Sequence, residues 1–257
     1  MPGADLQLQL YPATRRAAIV KRHNRFVAAV RRLDGAPEDV HVPNSGRLPE
    51  LMAPGLPCLT VHYGGKRKYP DSLVAVRHND GWVLVDTQAT NRIAGELLNH
   101  GLVPGLEGYG EVRSEVVLKP RGHSGSLKGL PRFDFRLDDH PDRAGPAWVE
   151  VKSVTLAVGD TALFPDAVTT RGAGHVRELG RLAADGARAA ALFLVQRGDP
   201  VRFSPNDATD PDFGEALRTA VGQGLEVVVL RLIIDRPPEA AEAPLVVRLD
   251  GPLPAMF

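Results

Sequence analysis

The sequence predicts an α/β (α+β) chain in two parts: an OB-like small β-barrel over residues 1–88, then a mixed-sheet domain over 89–257. Three observations predict it. Up to about residue 90, short apolar or alternating runs are separated by turn dipeptides, the pattern of a small barrel. Beyond that point the pattern becomes helix, three strands, helix, strand, helix, strand, which makes a mixed sheet with helices on its faces. The chain has 257 residues, 43% hydrophobic and 24% charged, enough to bury a good core.

In the first part, strands are expected at 16–20, 26–32, 40–42, 57–62, 73–77 and 82–85. Asp34-Gly35, Asn44-Ser45-Gly46, Gly64-Gly65 and Asn79-Asp80-Gly81 separate them, and the last is a hairpin signal. Closing such strands into an OB-like barrel removes their exposed edges.

In the second part, Asn91 reads as the cap of a helix over 92–100, with Ile93, Leu97 and Leu98 on one side and Gly101 as the stop. Strands follow at 114–118, 132–137 and 147–156, the first two separated by a Gly/Pro/Ser-rich loop over 119–131. Val176, Leu179, Leu182 and Ala183 give helical spacing over 172–184. The continuous apolar run 189–196 reads as a strand buried on both faces. Asp210 caps a further helix with Pro211 in its first turn, and Gly222 and Gly224 end it. A β-branched strand over 225–234 follows, and 244–249 is expected to return as an edge strand.

Composition narrows the function. Cys58 is the only cysteine, which excludes an internal disulfide and a cysteine-rich zinc site. No stretch approaches the roughly 20 apolar residues of a membrane span. The start lacks the basic-then-apolar plan of a secretory signal, so a cytoplasmic protein is expected. Charge is unevenly spread: residues 1–90 hold 12 Lys/Arg against 8 Asp/Glu. Arg15, Arg16, Lys21, Arg22, Arg25, Arg31 and Arg32 fall in one stretch without an acid, and Lys66-Arg67-Lys68 forms a second cluster. Composition fits a polyanion-facing patch and a solvated face equally well. Oligomeric state is not legible; a homo-oligomer is compatible with the sequence.

The chemistry concentrates in Arg132-Phe133-Asp134-Phe135 and Trp148-Val149-Glu150-Val151-Lys152. Alternation on a strand points Glu150 and Lys152 the same way. A neighbouring strand would bring Asp134 to them, placing two carboxylates and an ammonium in an apolar sheet. Buried charges persist when they pair or hold a metal. The element order matches the PD-(D/E)xK nuclease core, which carries its acids on the second and third strands. Mg²⁺ or Mn²⁺ would suit Asp134, Glu150 and the carbonyl of Val151, with Lys152 stabilising negative charge or positioning water. Glu96 and Glu115 are candidates for a third acid; solvent exposure, or for Glu115 pairing with Arg113 or Arg132, is the alternative.

A second dense run, Leu163-Phe164-Pro165-Asp166-Ala167-Val168-Thr169-Thr170-Arg171-Gly172, followed by His175, reads as a loop beside the active strand. Arg171 and His175 lie one helical turn apart and could grip phosphate. Asp166 could as well make a turn, and Thr169 or Thr170 a helix cap. Asn44 and Ser45 make either a plain turn or a ligand-facing rim loop.

The runs Val42-Pro43-Asn44-Ser45-Gly46, Glu150-Val151-Lys152-Ser153-Val154-Thr155-Leu156 and Leu163-Phe164-Pro165-Asp166-Ala167-Val168-Thr169 resemble the sugar fermentation stimulation protein A (SfsA) family. So do Gly172, His175, Glu178-Leu179 and Leu192-Phe193-Leu194-Val195-Gln196-Arg197. The resemblance implies an N-terminal OB-like domain, a PD-(D/E)xK nuclease-like domain, and DNA binding linked to regulation of sugar (maltose) metabolism. Ser45 stands where the family has Thr, and Gly174 where a Lys precedes its His. DNA contacted mainly through its backbone is the expected partner, with RNA left open. Two readings stand: a metal-dependent nuclease, or a non-catalytic DNA-binding regulator that keeps the nuclease fold. A small-molecule enzyme is a third, without a Gly-rich phosphate loop to support it.

Overall fold

The first strand is far longer than expected. In the computed structural model, which describes residues 6–32, 35–119, 125–235 and 242–257, β1 runs over Gln7–Asn24. Pro12 argues against a strand there. The structure accommodates it in a register shift between Tyr11 and Thr14. The barrel continues with β2 (Val27–Arg31), β3 (Glu38–His41), β4 (Pro57–His62), β5 (Asp71–His78) and β6 (Gly81–Leu84). β1 pairs with β2 and β4, β2 with β3, β4 with β5, and β3 runs parallel to β5. That 1-2-3-5-4-1 circuit closes an OB-type barrel. Ile19, Ala28, Val40, Cys58, Leu73 and Val76 fill it.

The second part begins with α1 (Thr87–Asn99). Its cap is Asp86, not Asn91: the Asp86 carboxylate accepts from the Gln88 N–H at 2.8 Å. The helix therefore starts four residues before Asn91, which lies inside it. β7 (Glu111–Val117), β8 (Arg132–Asp138) and β9 (Ala147–Val154) form an antiparallel meander. β12 (Arg188–Val195) and β14 (Glu226–Asp235) extend it in parallel, after α2 (Thr170–Ala184) and α3 (Pro211–Gly222). Three short strands, β10 (Leu156–Val158), β11 (Thr161–Phe164) and β13 (Arg202–Pro205), form a small second sheet. The expected strand over 147–156 thus breaks after Val154, and the expected loop from 163 starts inside β11.

β15 (Glu242–Pro252) corrects the expected edge strand. It lies between β14 and the first half of β1. Among the described residues, one twelve-stranded sheet therefore runs through both parts of the chain. Helix α1 covers one face, where Ile93 and Leu97 meet Val149, Leu192 and Leu194. Helices α2 and α3 cover the other, where Val176 and Phe213 meet Phe193 and Val195. β12 is buried on both faces, as its apolar run predicts. Among the described residues no helix is long and apolar enough to cross a membrane.

Candidate active site

Asp134, Glu150 and Lys152 meet where two strands part. The β8–β9 ladder runs from Leu137↔Ala147 to Phe135↔Val149 and stops. There the Asp134 carboxylate replaces the missing backbone partner: Val151 N–H donates to its Oδ2 at 2.8 Å. Asn91 Nδ2, from α1, donates to its Oδ1 at 2.9 Å. β8 also turns over at this residue. Phe135 packs in the core under α1, whereas Phe133 packs in the core under α2 and α3. On β7, Glu115 falls between the pairs Ser114↔Phe135 and Val116↔Phe133 and adopts a left-handed φ of 56°. A non-glycine residue with that φ in a strand is a local strain, typically about 1–3 kcal/mol.

Glu150 is buried, and its Oε1 accepts from Lys152 Nζ at 2.5 Å. The same oxygen lies 2.5 Å from His175 Nδ1. Arg171 Nε donates to His175 Nε2 at 3.5 Å, which leaves Nδ1–H to donate to Glu150. Glu150 Oε2 is buried with no hydrogen-bond partner among the described residues. The two carboxyls are tuned apart. Burial, reinforced by the charge of Glu150, raises the pKa of Asp134 above the usual aspartate range. Burial also pushes Glu150 up, but the His175 hydrogen bond and the Lys152 charge outweigh it and hold Glu150 below its usual value.

An orphaned buried carboxylate oxygen beside a second, electrostatically coupled carboxylate is a donor set that fits a hard divalent cation. Glu96 and Glu115 line the same groove as Asn91 and Asp134. Both are about half exposed; Glu115 pairs with Arg132 at 3.0 Å, and Glu96 lies 3.8 Å from His100. Among the described residues no three His, Cys, Asp or Glu converge on one point. Two acids, Asp134 and Glu150, are thus what the site presents among the described residues.

A second cleft opens on the other side of α1. Lys152 borders it with Arg25, Ser45, Asp166 and Thr169. Several expected ligand contacts are committed to structure here. Arg22 donates to the carbonyls of Asn24, Arg25, Asn44, Gly46 and Arg47, clamping the rim loop. Asn44 is buried, donating to Val85 O at 2.9 Å and accepting from the Gly46 N–H at 2.8 Å. Thr169 caps α2 through the Gly172 N–H, and its own N–H donates to Asp210 at 2.7 Å. Arg15 pairs with Glu242 at 2.5 Å. Lys21 and Arg25 are exposed and have no ion pair among the described residues. Lys66, Arg67 and Lys68 are exposed on the β4–β5 loop, where Arg67 stacks over Tyr63 at 4.5 Å and Lys68 over Tyr69 at 5.2 Å. These rings and cations border a cleft that also touches Asp86 and Gln88, at the start of α1. Cys58 is buried in the barrel, its thiol pushed up to about 12 by burial, and is inert as a nucleophile.

Sequence reasoning missed Asn91 as the partner of Asp134, because it read Asn91 as a cap. The spacing from Asp86 was the available signal: Asp86 opens the helix, which puts residue 91 on its second turn. It also missed Tyr11, whose hydroxyl donates to Asp86 at 2.5 Å and ties β1 to the start of α1.

Comparison with known proteins agrees with this architecture. Residues 20–85 match the SfsA N-terminal OB domain, and residues 88–237 match the sugar fermentation stimulation protein RE domain. A sugar fermentation stimulation protein homolog of Pelobacter propionicus is 39% identical over 84% of this chain and 89% of its own. One from Thermosynechococcus vestitus is 37% identical over 88% and 91%. The solved structure of Pyrococcus furiosus SfsA in complex with Ca²⁺ superposes with a TM-score of 0.77 at 27% identity, covering 97% of this chain and all of that one. With the barrel circuit, the mixed-sheet order and these matches along nearly its whole length, the chain belongs to the sugar fermentation stimulation protein (SfsA) family.

Proposed function

We propose that this protein binds DNA and hydrolyses phosphodiester bonds with Mg²⁺ or Mn²⁺ at the Asp134–Glu150–Lys152 site. The observation that carries the reading is the buried, unpartnered Glu150 Oε2 beside the raised carboxyl of Asp134. Asp134, Glu150 and the Val151 carbonyl would hold the ion. A divalent cation held there would supply polarisation of a non-bridging phosphoryl oxygen and a lowered pKa for an attacking water. The chain's own residues do the rest. Lys152 sits 2.5 Å from Glu150 and is set to stabilise charge developing on the phosphate or to position the water. His175 holds Glu150 in one orientation, and Asn91 with the Val151 N–H does the same for Asp134. The relative solved with Ca²⁺ supports a hard, oxygen-liganded cation. Arg25 and the Arg67/Lys68 loop, on the two clefts beside α1, would take phosphates and bases.

The test is incubation of the protein with single- and double-stranded DNA and RNA in Mn²⁺. Cleavage by the wild type that Glu150→Ala abolishes is expected; equal turnover by both sinks the assignment. One observation favours a second reading, a non-catalytic DNA-binding regulator of sugar metabolism. Lys152 already neutralises Glu150, whose Oε1 also accepts from His175, and no third acid completes the site among the described residues. Binding without cleavage under any metal would select it.

A further inference from the structure

A trough on the outside of the barrel, sharing no lining residue with the clefts beside Asp134 and Lys152, carries cations that no described residue neutralises. Strand register builds it. Arg31 on β2 pairs with Ala18 on β1, and Ala18 with Pro57 on β4. Cys58↔Val76 puts Pro57 beside Arg77 on β5, and Arg77 pairs with Trp82 on β6. Directly opposed residues share a sheet face. One transverse row therefore reads Arg, Ala, Pro, Arg, Trp, with a low apolar floor between cationic walls. Arg16, two residues along β1 from Ala18, flanks the row, and all six residues line one cavity.

The charges are unbalanced. Arg32 borders the same cavity, but its guanidinium is paired with Glu38 at 2.9 Å and Asp71 at 3.3 Å. Among the described residues, Arg16, Arg31 and Arg77 make no ion pair. The Arg16 Nε is buried with no hydrogen-bond partner among the described residues. Three like charges around an apolar floor repel one another unless an anion bridges them. Arg31 and Arg77 stand three strand spacings apart, about 14 Å between backbones. That spread exceeds one phosphate and suits a chain of them. Trp82 at the end of the row offers a ring on which a base can stack.

We propose that this trough is an exosite for a single-stranded stretch of nucleic acid, its phosphates meeting Arg16, Arg31 and Arg77 and one base stacking on Trp82. The proposal rests on the nucleic-acid reading above and adds a second surface to it. Arg77 lies five residues along β5 from Ser72, which borders the cleft at the start of α1. At a strand rise of about 3.3 Å the two sites are some 16 Å apart. A strand held in that cleft would have to pass around the barrel to reach the trough.

The experiment follows binding of a fluorescein-labelled oligo-dT and of a labelled duplex by anisotropy, in EDTA, as a function of salt. The proteins are wild type, Arg31→Gln, Arg77→Gln, Trp82→Leu and, as a cleft control, Asp134→Asn. Each arginine variant is expected to weaken oligo-dT binding about tenfold and to lower the log–log salt slope by about one. Trp82→Leu should weaken oligo-dT by a similar factor, leave the salt slope unchanged and barely affect the duplex. Arg31 and Arg77 are exposed, so their replacement leaves the fold intact, and quenching of intrinsic fluorescence by unlabelled oligo-dT, compared between wild type and Trp82→Leu to separate Trp82 from Trp148, gives a readout without a label. Oligo-dT binding that all three trough variants leave unchanged overturns the exosite while the active-site reading stands. No binding of either nucleic acid by the wild type overturns both.

Discussion

Removing Glu150 tests whether the site is a coupled charge network. Glu150→Ala deletes a side chain that is 6% exposed and that holds Lys152 and His175 at 2.5 Å each. Lys152, only 12% exposed, is then left without its counter-charge. Removing one partner of a buried ion pair typically costs about 3–5 kcal/mol, much of it the penalty of stranding the other charge. At roughly 2–4 °C per kcal/mol for a protein near this size, the midpoint of thermal unfolding should fall by about 6–20 °C. Calorimetry and urea unfolding in EDTA measure the loss. Lys152→Met in the same background removes the stranded ammonium and should recover part of it, so the double-mutant cycle is non-additive by about 1–3 kcal/mol. Added Mn²⁺ should stabilise the wild type, by about 2.7 kcal/mol at a hundred times its dissociation constant, and not the variant. A loss below about 1 kcal/mol, or strict additivity, would show that the three groups are not coupled and refute the reasoning.

Other consequences follow from the same geometry. Asp134→Asn should raise stability in EDTA by on the order of 1 kcal/mol, because the amide avoids the buried charge while a turned-over Asn91 and the Val151 N–H keep both hydrogen bonds; the variant should lose Mn²⁺ stabilisation, and chemical unfolding with and without metal checks both. The depressed Glu150 carboxyl contributes stability that is present above the ordinary glutamate pKa and disappears as pH falls through its lower folded value. Asp134 has the opposite sign: its ionisation opposes folding above the ordinary aspartate pKa, so Asp134→Asn should steepen the loss of stability with acid, as acid titrations followed by circular dichroism would show. Gly46→Ala should perturb the cleft, since the new Cβ would stand 2.2 Å from Asp166 Oδ2; DNA affinity should drop several-fold with little change in global unfolding.

The fold was largely legible because its strands and helices carry strong local patterns. The apolar run of β12 and the Asp210-Pro211 cap of α3 were read directly. What escaped was set by long-range pairing. The first half of β1 contains Pro12, and β15 alternates buried with half-exposed residues, so each alone reads as a tail or an edge. Only their pairing with each other, Gln7↔Arg248 through Arg15↔Glu242, places them inside the sheet. The start of α1 escaped for a similar reason: Thr87 and Thr90 are weak helix formers, and their place is fixed by Pro43 and Gln196. In the site, residue identity was legible and role was not. Arg22, Asn44 and Thr169 look like ligand contacts in the sequence, yet their polar atoms are spent on backbone groups.

The same distinction explains why Asp134 lies where it does. Both its neighbours are phenylalanines, which in a regular strand would share a face and bury Asp134 on the other. Instead Phe133 and Phe135 enter different cores, so β8 must turn over between them. The ladder to β9 ends at that turn, which frees the Val151 N–H and leaves room for a carboxylate to accept it. The left-handed Glu115 on β7 is the counterpart of the same turn. An alanine at 134 would leave that N–H and Asn91 without their acceptor, whereas asparagine can serve both. The charge of the acid therefore serves the proposed metal site, and its shape serves the sheet. The fold demands an acceptor at this position, and the negative charge is the part that stability alone does not ask for.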